Sequence, residues 1–140
     1  MAEGFARAYG SDVIVARSAG LAPALAVAPL SHQVMLEKNI DLGDCYPKPF
    51  DHTDDNVDLI VNMSGHDFRP CPGAQMEVWD VFDPIGESEE VFRQVRDEIE
   101  SRVRELIEKL RSRKPAAPEA IAAGAPSAAP VDTRRRTPGQ

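Results

Sequence analysis

A single carboxylic acid in a well-placed loop is the chemically most suggestive feature of this chain. Asp83 closes the run Val78-Trp79-Asp80-Val81-Phe82-Asp83 and is followed at once by Pro84, which stiffens the exit. Gly86 and Ser88 then lead into a helical stretch around Val95-Arg96-Asp97-Glu98-Ile99. A carboxyl held at such a strand-to-helix loop can protonate a leaving group, the general-acid half of an ester cleavage. An aspartate there can equally serve as a turn-former, its side chain bonding the backbone two residues on. His66, Asp67 and Cys71 form a second polar loop. Zinc sites usually bring a clustered ligand pair such as C-x2-C or H-x3-H. Here Cys45, His32 and His52 are scattered, so no metal and no other cofactor is expected.

The elements that must position these residues can be read from periodicity. Ala2 to Tyr9 reads as a helix that stops at Gly10. Val13-Ile14-Val15-Ala16 is a β-branched run ending at Ser18-Ala19-Gly20, which predicts a short buried strand. Pro29 suits the first turn of a second helix running to about Lys38, with Leu30, Val34 and Met35 on its apolar face. Val57 to Met63 and Met76 to Val81 read as strands, the first continuously apolar as in a sheet covered on both faces. The last helix is the plainest. Phe92, Val95, Ile99, Val103, Leu106 and Leu110 recur every three or four residues, behind Ser88 as N-cap. Its other face carries Arg93–Asp97, Glu98–Arg102, Glu100–Arg104 and Glu105–Lys109, a solvated surface of i,i+4 pairs. Strands alternating with helices imply an α/β domain with a parallel sheet.

Composition sets the limits. The 140 residues fit one domain. From Lys114 on, the sequence is mostly Ala, Pro, Gly and Ser with an Arg134-Arg135-Arg136 cluster, too poor in apolar residues to offset ordering entropy. A folded domain over 1–113 and a disordered tail over 114–140 are therefore expected. The tail's charges sum to +2, so a total of −7 leaves −9 on residues 1 to 113. A domain this acidic argues against nucleic-acid binding, which needs a basic face. No run approaches the roughly 20 apolar residues of a membrane span, no signal peptide opens the chain, and two cysteines make no disulfide framework. The cytosol is the expected compartment.

Taken together, Met1-Ala2-Glu3-Gly4-Phe5, Ser18-Ala19-Gly20, the Trp79-to-Pro84 segment and the Val95-Arg96-Asp97-Glu98-Ile99 helix, in this order and spacing, resemble the low-molecular-weight protein tyrosine phosphatases and the arsenate reductases that share their fold. The resemblance covers residues 1 to about 113. It implies a three-layer αβα sandwich around a parallel sheet, with Asp83 as the general acid and Ser18 helping to order a phosphate loop. In that family the nucleophile is the cysteine of a C-x5-R-S loop, which precedes the Met-Ala-Glu stretch. This chain starts at Met-Ala-Glu. Neither cysteine fills the role, since Asp51 stands six positions after Cys45 and Glu77 six after Cys71. A sheet that opens on a helix, with no capping residue ahead of it, points the same way: a first strand and its loop are expected to be missing from these residues. An exposed sheet edge would then favour a dimer.

In the arsenate reductase branch, two further cysteines resolve the arsenic–thiol adduct. Met63-Ser64-Gly65 stands where the first would be, and Cys71-Pro72 resembles the second, which makes Cys71 the candidate redox residue. Serine cannot relay a disulfide. The sequence therefore favours phosphomonoester hydrolysis, with a phosphotyrosine-type or small oxyanion substrate. A non-catalytic relative and an arsenate reductase variant are the alternatives. Without the C-x5-R loop, the 140 residues alone are expected to show no turnover.

Overall fold

The computed structural model describes residues 1–113; the expected tail at 114–140 lies outside the described residues. Three helices and two strands follow in the order α1 (Ala2–Gly10), α2 (Pro29–Leu36), β1 (Leu59–Asn62), β2 (Gln75–Val78) and α3 (Glu89–Arg113). β1 and β2 pair in parallel, with Leu59 opposite Gln75 and Asn62 opposite Val78. The architecture is α/β, as the alternation of elements predicts.

α3 organises the molecule. Phe92, Val95, Ile99, Val103 and Ile107 are buried along one stripe and pack against both α1 and α2. The buried stripe ends on Ile107, while Leu106 and Leu110 beside it are only half-buried near the end of the helix. Phe5, Met35, Ile40, Leu42 and Trp79 complete the core. α1 comes very close to its neighbours. A Cβ on Gly4 would stand 2.7 Å from Leu42 Cδ2, and one on Gly10 would stand 2.8 Å from Ile107. Ser88 accepts the Val91 N–H at 3.3 Å and caps α3 as expected.

Three expectations need correction. The Val13–Ala16 run forms no strand, and Val15 is 95% exposed. A strand needs a neighbour for its backbone groups, and the pairing nearest this run is one parallel bridge, Gly20 to Pro49. The sheet among the described residues thus has two strands, not three. β2 ends at Val78, three residues before the expected limit, since Trp79 turns into the core. On α3, Glu98–Arg102 and Glu100–Arg104 form as predicted, at 2.9 and 3.1 Å. Arg93 instead reaches Glu37 and Glu89, and Lys109 reaches Glu77 at 3.0 Å. These two side chains join elements rather than decorate one helix.

Candidate functional site

In a parallel sheet, chemistry gathers at the loops leaving the carboxyl ends of the strands. β1 delivers Asn62, which is buried and organises the next four residues. Its Oδ1 accepts from the Ser64 N–H at 2.9 Å and the Ser64 hydroxyl at 2.7 Å, while its Nδ2 donates to the His66 carbonyl at 2.9 Å. Gly65 supplies the positive φ of 77° that this tight turn requires. His66 Nδ1 lies 2.9 Å from the Ser64 carbonyl, so the ring is engaged locally. Among the described residues, no group of three or more His, Cys, Asp or Glu could hold a metal ion.

Further along this loop, Cys71 is a free, buried thiol whose Sγ donates to the Asp51 carbonyl at 3.4 Å. Ser64, seven residues earlier on the same loop, is exposed. From β2 the chain passes through buried Trp79 to Asp83, which is exposed and accepts the Ile85 N–H at 3.1 Å. Asp83 thus forms an Asx turn around Pro84. The same geometry leaves its second carboxylate oxygen free of any hydrogen bond among the described residues.

The third component is one the sequence reading passed over. Glu3, in the first turn of α1, buries its side chain to 4% exposure. The Ser18 hydroxyl donates to it through a short contact, Arg7 Nη2 lies 2.6 Å from its other oxygen, and Lys48 Nζ stands 3.8 Å away. Lys48 also sits 4.5 Å over the Tyr46 ring. The Gly20–Pro49 bridge, with Gly20 N–H to the Lys48 carbonyl at 2.8 Å, brings the two loops together. Glu3 thereby ties Ser18 and Lys48 to the start of α1, the end of a helix that favours anions. An acidic residue in a first helical turn reads as ordinary dipole compensation, so nothing local in the sequence reveals the tie. No hydrogen bond or ion pair joins Ser18, Cys71 and Asp83 to one another among the described residues; they sit on three separate loops.

The family model of the low molecular weight phosphotyrosine protein phosphatases matches residues 1–116. The chain belongs to this family. Its relatives sharpen the reading. A glutaredoxin arsenate reductase of Synechocystis is 34% identical over 115 residues, covering 79% of this chain and 87% of that protein. An arsenate reductase of Bacillus cereus is 34% identical over 113 residues, covering 77% and 84%. Among solved structures, an arsenate reductase in the phosphate binding state superposes with a TM-score of 0.69 at 34% identity, covering 78% of this chain and 86% of that one. A thioredoxin-dependent arsenate reductase of Corynebacterium glutamicum gives 0.66 at 27% identity, covering 81% and 55%. The fold is that of the phosphatase family, while these relatives are reductases.

Proposed function

We propose that this member of the phosphatase family serves arsenate reduction rather than phosphoester hydrolysis. The supporting observation is the run of arsenate reductases at 33–35% identity that match at least 77% of the chain. Taken alone, Ser64 weighs towards ester hydrolysis, since a thiol relay cannot pass through a hydroxyl. The relatives outweigh it. Reducing arsenate to arsenite takes two electrons, which two thiols supply on becoming a disulfide while one oxygen leaves as water. In this reading Cys71 is the resolving thiol, and exposure of its buried sulfur is a required step. Asp83 gives the proton to the departing oxygen. Ser18, fixed by Glu3, orders the anion-facing loop at the start of α1. The bond between arsenic and the attacking sulfur breaks as Cys71 takes that sulfur into a disulfide and arsenite leaves; with a serine at 64 no internal thiol relays the disulfide, and two external thiol equivalents reduce it.

No cysteine of the 140 residues carries the C-x5-R spacing. A thiolate that attacks the oxyanion, and an arginine that grips it with two parallel N–H bonds, would have to come from outside them. The test is to assay the 140-residue chain, and the same chain joined at Met1 to a strand and C-x5-R-S loop, for arsenite release and for aryl phosphate hydrolysis. Arsenite release by the joined protein, lost in Cys71→Ser, is the expected result. Aryl phosphate hydrolysis without arsenite release would return the assignment to the phosphatase reading that Ser64 supports.

A further inference from the structure

A cleft of about 230 Å³ is lined by Leu21, Phe50, His52, Phe68 and Arg69. Three segments build it, and each is held in place. The Phe50 N–H donates to the Gly20 carbonyl at 3.0 Å, which sets Leu21 beside Phe50. Cys71 Sγ, bonded to the Asp51 carbonyl between Phe50 and His52, fastens the 68–71 loop to the same strip of chain. The Phe50 and Phe68 rings then meet edge to face with centroids 4.9 Å apart and planes at 65°.

The lining has two kinds of chemistry. Phe50, Phe68 and the half-exposed Leu21 give apolar walls, and an apolar cavity of about 150 Å³ is already large enough for a benzene ring. The extra room in this cleft suits one ring with a substituent. The polar lining is cationic in type. Arg69 is exposed and has no ion-pair or hydrogen-bond partner among the described residues, and His52 stands beside it. Among the described residues no carboxylate pairs with Arg69, although Asp51 and His52 attract one another. Asp51 is taken up by the Thr53 N–H and hydroxyl at 2.9 and 2.6 Å, and neither Asp51 nor Asp67 lines the cleft. An unpaired guanidinium on the edge of an aromatic slot, in a domain that is otherwise strongly acidic, is a selective feature rather than a general attraction for anions.

We propose that this cleft binds a small aryl anion, the ring seated against Phe50, Phe68 and Leu21 and the anionic group bonded to Arg69. Inorganic arsenate has no ring to place there, so the ligand differs from the substrate assigned above, although Cys71, the resolving thiol of that reading, fastens one wall of the cleft; binding to the 140-residue chain is read without turnover and so is scored separately. An aryl carboxylate and an aryl phosphonate share the required chemistry, and the planar fork of Arg69 accepts either in a bidentate manner.

The experiment measures binding to the 140-residue chain by calorimetry and by proton–nitrogen NMR, with no turnover involved. Phenylphosphonate and benzoate are the aryl probes, cyclohexanecarboxylate and inorganic phosphate report on the ring and on the anion separately, and S-methylglutathione represents a thiol-peptide ligand. Saturable binding of an aryl probe, with amide shifts centred on residues 50–52 and 68–69, is expected. Arg69→Ala should weaken it by about tenfold or more, the scale of losing a charged hydrogen bond, with Arg69→Lys recovering part. Leu21→Asp, at an exposed position, should weaken it without unfolding the domain, while Asp83→Asn should leave it unchanged. An absence of saturable aryl binding, affinity untouched by Arg69→Ala, equal binding of inorganic phosphate, or preferential binding of S-methylglutathione would each overturn the proposal.

Discussion

Replacing Arg96 with methionine tests how α2 is held to α3. α2 ends at Leu36, and the chain turns so that the Lys38 N–H donates to Met35 rather than to Val34. The Val34 carbonyl is left to the Arg96 guanidinium, which donates to it at 2.8 Å from the buried face of α3. The same guanidinium bonds Glu37 at 2.6 Å and Asp97 at 2.8 Å. Methionine keeps the aliphatic stem and its packing, so the loss is concentrated on a buried carbonyl without a donor. Such a group costs about 1–3 kcal/mol, a large share of a domain's usual margin of about 5–15 kcal/mol. At about 4 °C per kcal/mol for a domain of this size, the melting temperature should fall by roughly 4–12 °C. Arg96→Lys should recover part of it, because an ammonium still reaches a carbonyl. Arg93→Met is the control: it removes a guanidinium that also bonds Glu37, but from the exposed side. Thermal unfolding followed by circular dichroism at 222 nm on the three variants settles the matter. If Arg96→Met melts with the parent, or Arg93→Met falls as far, the carbonyl cap is not what holds α2.

Gly4→Ala sets helix propensity, worth about 1 kcal/mol in favour of alanine, against a methyl 2.7 Å from Leu42 Cδ2 in a full core. Overpacking of about 1–3 kcal/mol should win, so chemical denaturation should show Gly4→Ala destabilised and Gly4→Ala/Leu42→Ala less so than the sum of the single changes; a stabilised Gly4→Ala would refute this. Burial raises the Glu100 carboxyl, but bonds from Lys38, Tyr9 and Arg104 outweigh it and hold the group below its usual value of 4.5. Its contribution is therefore fully present above that value and is lost as pH falls through the lowered one. Lys38→Met should flatten the acid limb of the stability–pH curve, and superimposable curves would contradict the assignment. Val78, 69% exposed at the end of β2, sits on a two-stranded sheet whose outer edges have no strand partner among the described residues, and that edge should draw two copies together. Sedimentation should show a dimer that Val78→Lys shifts to monomer, and a monomeric parent would reject the edge.

The sequence exposed what depends on local pattern. α3 was legible because its apolar period, its Ser88 cap and its acidic first turn agree over 25 residues. The family resemblance rested on short motifs in fixed order, which survive even where an element does not form. Val13–Ala16 shows the limit: β-branched residues favour a strand, but only a neighbour makes one, and composition does not say whether the neighbour is there. The site was harder still. Asp83, Ser18 and Cys71 could be picked out by motif, but Glu3 and Lys48 are 45 positions apart and meet only because Gly20 bridges to Pro49. The same bridge places Leu21 against Phe50 and so helps form the cleft. Long-range pairing of this kind leaves no period in the chain. Phosphatase and reductase could not be separated by motif either, because Ser64 and Cys71 point in opposite directions.

Arsenate reduction is the activity proposed for this domain. Its most direct test is arsenite release by the chain joined at Met1 to the strand and C-x5-R-S loop of a related arsenate reductase, with glutathione and glutaredoxin, or thioredoxin, as electron source. Arsenite is expected in at least one of the two reducing systems, abolished by Cys71→Ser and slowed about 10²–10⁴-fold by Asp83→Asn, the usual cost of losing a general acid. A folded fusion that hydrolyses phenyl phosphate but yields no arsenite with either system would contradict it.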